Sequence, residues 1–123
     1  MRKFLQVTFA ALLAGAPICG APGAVAQSPK CKKIVAFVDI DWVSTPEFEQ
    51  CAADGDTEAQ ALLGMMYWGA SDDGGWPEDY GLEPGLSVEE MRGRGLSLLQ
   101  FAAAKGHGGA MNEIGLAYFE AGY

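Results

Sequence analysis

Residues 55–70 read GDTEAQALLGMMYWGA. The spacing predicts a helix from near Thr57 to about Trp68, with Ala59, Leu62, Leu63, Met66 and Tyr67 sharing one face at i, i+3 and i+4 intervals. Gly64 sits in the middle, although glycine costs a helix about 1 kcal/mol against alanine. Bulk is then crowded into Met65, Met66, Tyr67 and Trp68. A helix that gives up propensity at its centre and loads its far end is shaped for its neighbours.

A second copy supports that reading. Laying EQCAADGDTEAQALLGMMYW (49–68) over QFAAAKGHGGAMNEIGLAYF (100–119) gives a gapless offset of 51. The identities are Ala52/Ala103, Ala53/Ala104, Gly55/Gly106, Ala59/Ala110, Gly64/Gly115 and Tyr67/Tyr118. Leu63 faces Ile114, and Trp68 faces Phe119. The matched columns are small residues and aromatics, which set packing, rather than surface charges. In each copy an Ala-Ala-x-Gly end is followed within a few residues by the next helix, so the two helices must run antiparallel.

These residues resemble the Sel-one-like repeat, a relative of the tetratricopeptide repeat. The pattern A-x-x-x-L-G-x-x-Y is carried by Ala59, Leu63, Gly64 and Tyr67, and again by Ala110, Ile114, Gly115 and Tyr118. The sequences AADG and AAKG supply the paired helix end twice. The likeness covers residues 48–122. It implies an all-α fold: a short α/α solenoid of antiparallel hairpins, about four helices with a long loop insertion. It also implies a protein–protein interaction scaffold that performs no chemistry and needs no cofactor. The 51-residue offset exceeds the family period, and the excess falls in the loop 69–87, which joins the two helices of the one complete repeat. A solenoid ends in a capping helix, so the last helix, about Gly109 to Ala121, is expected either to be covered or to leave its outer face open. A homodimer through that helix is one way to cover it.

The N-terminus reads separately. Arg2 and Lys3, a short apolar run and Ala-Val-Ala at 24–26 form a secretory signal peptide, residues 1–26, cleaved near Ala26. Cys19 raises a lipoprotein alternative, but Ile18 directly before it suits lipid attachment poorly. The expected location is periplasmic or secreted, with no membrane span. Cleavage leaves one small domain. It removes two of the 8 basic residues and none of the 16 acidic ones, moving the net charge from −8 to −10. That charge excludes nucleic acid and anionic lipid as partners and favours a basic protein surface. Cys31 and Cys51 remain in an oxidising setting, which predicts one disulfide.

Residues 27–45 form an N-terminal segment whose structure the pattern leaves open. Residues 27–33 read as a mobile basic start. IVAFVDIDWV (34–43) favours a strand by composition, yet nothing else in the chain would pair with it. Thr45 or Ser44 with Pro46, Glu47 and Glu49 then starts a short helix. Ser87 and Glu90 form a capping box for a helix from Val88 to about Lys105.

The insertion is the best candidate for specificity. Asp72, Asp73, Glu78, Asp79 and Glu83 surround Trp76 and Tyr80. Aromatic anchors with an acidic rim suit a basic segment of another protein; the plainer expectation is a solvated loop with Trp76 folded back as a plug. The loop lacks the spacing of a calcium-binding loop, so no metal is expected. His107, the single histidine, sits in a turn and reads as exposed, and neither GxSxG nor HExxH occurs. The chain is therefore expected to be a binding module such as an adaptor, inhibitor or immunity-type factor. The alternative is an envelope hydrolase or wall-binding protein using the acidic 72–83 loop.

Overall fold

The computed structural model describes residues 27–74 and 76–121; the signal-peptide reading falls on residues 1–26, outside them. The described residues are all helical where regular. They form α1 (Pro29–Asp41), α2 (Pro46–Ala53), α3 (Thr57–Asp72), a single 3₁₀ turn (Pro77–Tyr80), α4 (Val88–Ala104) and α5 (Gly108–Ala121).

The expected count of about four helices thus becomes five, because residues 29–41 are a helix and not a strand. The reasons are local and tertiary. The Ser28 hydroxyl accepts the Cys31 N–H at 3.1 Å, and Pro29 occupies the first turn. Cys31, Ile34, Val35 and Val38 fall at helical spacing and pack on the core under α2 and α3. The penalty of β-branched residues in a helix is a few tenths of a kcal/mol each, and burying such a stripe outweighs it. The basic start is not mobile either: Gln27 donates to Asp56 at 3.2 Å, and Cys31 lies 2.15 Å, sulfur to sulfur, from Cys51.

Each later helix starts where a cap allows it. Thr45 caps α2 through Phe48 N–H, Asp56 caps α3 through Ala59 N–H, and Ser87 with Glu90 closes the capping box of α4. At the start of α5 the Ala110 N–H donates to His107 Nδ1 at 3.0 Å. α3 runs one turn beyond Trp68, to Asp72, so the irregular part of the insertion is shorter than 69–87. That part is pinned. Pro77 and Leu82 are buried, and Ser44 N–H donates to the Tyr80 carbonyl at 2.7 Å. Gly81 has a left-handed φ of 69°, and a side chain there would collide with the Ser44 carbonyl.

The most extensive packing is between α3 and α4, which run antiparallel. Lys105 at the end of α4 donates to the Gly55 carbonyl (2.6 Å) and to Gln60 (3.1 Å) at the start of α3. Farther along, the backbones touch. A Cβ at Gly64 would lie 3.0 Å from the Gly95 carbonyl oxygen and 3.1 Å from Leu99 N; a Cβ at Gly95 would lie 2.9 Å from the Gly64 oxygen. Around this crossing Phe48, Met66, Met91 and Leu99 are the largest fully buried side chains.

The repeat-related positions divide. Ala59, Leu63, Gly64, Tyr67 and Ala110 are buried, and Ile114 is half-buried. Gly115 and Tyr118 are exposed, and a Cβ at Gly115 would meet nothing within 4 Å. The two matched glycines should therefore respond oppositely to alanine in urea unfolding. Gly64→Ala gains about 1 kcal/mol of helix propensity but loses about 1–3 kcal/mol to overpacking against backbone, so stability falls. Gly115→Ala raises it by up to about 1 kcal/mol. Reduction of the Cys31–Cys51 pair, separated by 20 positions, should lower unfolding free energy by about 3 kcal/mol on the loop-entropy account. An unchanged midpoint under reductant would remove the disulfide from that account.

Candidate functional site

The outward stripe of α3 runs through Glu58, Ala61, Met65, Trp68 and Asp72, at helical spacing. It forms the floor between two walls. α1 supplies Val35, Asp39 and, just past its end, Trp42; α5 and the turn before it supply His107, Glu113, Leu116 and Glu120. Two cavities lie along this floor. One of about 420 Å³ spans Lys32, Asp39, Glu58 and His107. The other, about 300 Å³, is enclosed by Trp42, Trp68, Asp72, Leu116, Glu113 and Glu120. Met65 lines both, so the two meet along α3.

The second cavity carries the sharper chemistry. Its wall holds two indoles and three carboxylates and no basic residue. Trp42 is the single described non-glycine residue with positive φ, 57°, and its N–H donates to the Val38 carbonyl as it ends α1. A left-handed conformation costs a residue with a Cβ about 1–2 kcal/mol, and here it brings the indole to the cavity. Trp68 comes from the second half of α3, beyond the Gly64 crossing. Aromatic faces attract guanidinium and ammonium groups, and the chain already does this once. The Arg92 guanidinium lies 5.8 Å from the centre of the Trp68 ring and 3.7 Å from an Asp72 oxygen. That exposed pair is worth at most about 1 kcal/mol and leaves Glu113 and Glu120 with no described ion-pair partner.

At the other end, His107 is not simply exposed. It accepts the Ala110 N–H through Nδ1, and Nε2 approaches Glu58 at 3.2 Å. One imidazole thus caps α5 and ties it to α3.

The residues singled out in the insertion are scattered by the fold. Asp72 ends α3 and faces the second cavity, while the Asp73 carboxylate accepts the Tyr80 hydroxyl. Glu78 and Asp79 are exposed on the 3₁₀ turn, and Glu83 pairs with Arg94 at 2.9 Å. Trp76 is 62% exposed, so it is not a plug. The loop is a braced strap bearing one open indole. Trp42, Trp68, Glu113 and Glu120 were not sequence candidates; the signal available was their helical spacing against α3. Among the described residues no group of three His, Cys, Asp or Glu side chains is placed to hold a metal, and no helix is long and apolar enough to cross a membrane. Comparison with known proteins finds no matching family model, no similar curated protein and no similar solved structure.

The Asp73 contact holds the Tyr80 hydroxyl in its protonated form and pushes its pKa from 10.0 up to about 12, with burial adding to the effect. The folded value lies above the unfolded one, so this contribution is complete below pH 10 and is lost as pH rises toward 12. In an absorbance titration at 295 nm one tyrosine should ionise near pH 12, and Tyr80→Phe should delete that step. A Tyr80→Phe curve with the late step intact would show that another tyrosine carries it.

Proposed function

We propose that this chain is a short helical-repeat module of the Sel-one-like, tetratricopeptide-related kind. It binds a basic segment of another protein along the groove over α3, as an adaptor, inhibitor or immunity-type factor, and it carries out no reaction itself. The observation that carries this reading is the Trp42–Trp68 cavity, whose wall holds Asp72, Glu113 and Glu120 and no cation. An arginine or lysine entering there meets an aromatic face and carboxylates together. The overall net charge of −8 would speed the approach of such a segment. The stacked hairpins, with α1, α3 and α5 along one side, support a repeat architecture. The Cys31–Cys51 pair supports an oxidising, exported setting, periplasmic or secreted.

Binding is favoured over wall hydrolysis by the loop carboxylates. Asp73 is engaged by Tyr80, Glu83 by Arg94 and Asp72 by Arg92, so these three carboxylates of the 72–83 loop are held by local partners and are not set against one another.

The reading is tested by isolating the partner from a periplasmic extract and titrating it calorimetrically. Glu113→Lys with Glu120→Lys should weaken binding at least about tenfold, or about 1.4 kcal/mol, and wild-type affinity should fall with added salt. Binding unaffected by both changes refutes the groove. Wall hydrolysis that is lost in Asp72→Asn would favour the enzymatic alternative.

A further inference from the structure

The internal copy identifies a second surface, on a face of α5 turned away from the groove. Positions 51 apart correspond, so Gly115 stands for Gly64 and Phe119 for Trp68. In the first copy α4 covers that face. Gly95 and Leu99 lie against Gly64, and Arg92 lies over Trp68. In the second copy no described helix covers the corresponding face around Gly115. A Cβ at Gly115 would meet nothing within 4 Å, Phe119 is 85% exposed and Met111 is 51% exposed.

We propose that this face docks an amphipathic helix of another protein that carries arginines, a small residue and a leucine in the register Arg-x-Arg-Gly-x-x-x-Leu, seated on α5 as residues 92–99 are seated on α3. The small residue would sit on Gly115 and an arginine on Phe119. Charge favours the same occupant. The chain as a whole is acidic, which draws a basic helix toward it. A second copy fits less well, because its own version of the pattern is α4, already packed against its α3. This site does not depend on the groove reading, since it uses the other side of α5.

The probe is a fluorescein-labelled peptide of residues 86–106, stapled as a helix through positions 89 and 93, both exposed in α4. Fluorescence anisotropy should show saturable micromolar binding to the full protein. Binding should drop at least about tenfold for Gly115→Leu protein, or for a peptide carrying Arg92→Glu and Arg94→Glu. Circular dichroism of Gly115→Leu should match the wild type, because the site is open. Three results would overturn the proposal: no binding at 1 mM peptide; binding indifferent to Gly115→Leu, which means the peptide displaces α4 instead; or a dimer by light scattering that Phe119→Asp dissociates, which assigns the face to a second copy.

Discussion

The backbone crossing of α3 and α4 at Gly64 and Gly95 sets the geometry of everything around it. Two helices normally keep their axes 8–10 Å apart because side chains stand between them. Here each helix presents a glycine to the other, and carbonyl oxygens fill the space that a Cβ would take. The approach brings Leu99 and Met66 into full burial. Tyr67 is buried under Arg94, and Trp68 is left to the groove side. The propensity given up at two glycines, about 1 kcal/mol each, is thus exchanged for core contacts along both helices.

The groove and the open face of α5 are both consequences of that arrangement. α4 occupies one side of α3, and the stripe from Glu58 to Asp72 lies between α1 and α5, with Arg92 of α4 reaching over its Trp68 and Asp72 end. The turn at Lys105–His107 places α5 beside α3. Lys105 holds the end of α4 to the Gly55 carbonyl, and His107 holds α5 to Glu58. With those two links in place, Glu113 and Glu120 meet Asp72 and Trp68 around one cavity, although they lie 41 to 52 positions apart in sequence. The same placement turns Gly115 outward.

Much of the helical framework was legible because its signals are local. The caps at Thr45 and Ser87, the stops at Gly55 and Gly106, and the repeated glycine and tyrosine each act within a few residues. α1 was left open by its sequence. Its β-branched run suggested a strand, while the decisive terms were the Ser28 cap and a stripe buried by α2 and α3. The period of that stripe, Cys31, Ile34, Val35 and Val38, was present in the sequence and was outweighed by composition. The candidate site was legible only at Asp72. Cavities are made by elements that are distant in sequence, and the acidic insertion drew attention because its charges are contiguous. Asp72, Asp73 and Glu83 are engaged locally, by Arg92, Tyr80 and Arg94, whereas the groove acids come one or two at a time from separate helices.

The chain has three tryptophans, and they report separately on the groove and on the insertion. Trp42 and Trp68 flank the groove, and Trp76 stands out on the loop. An ¹⁵N–¹H spectrum of the labelled protein therefore gives three indole signals that can be followed while an arginine-containing peptide is added. Movement of the Trp42 and Trp68 signals with Trp76 stationary is the result the groove predicts. Movement of Trp76 alone would place recognition on the insertion and contradict it.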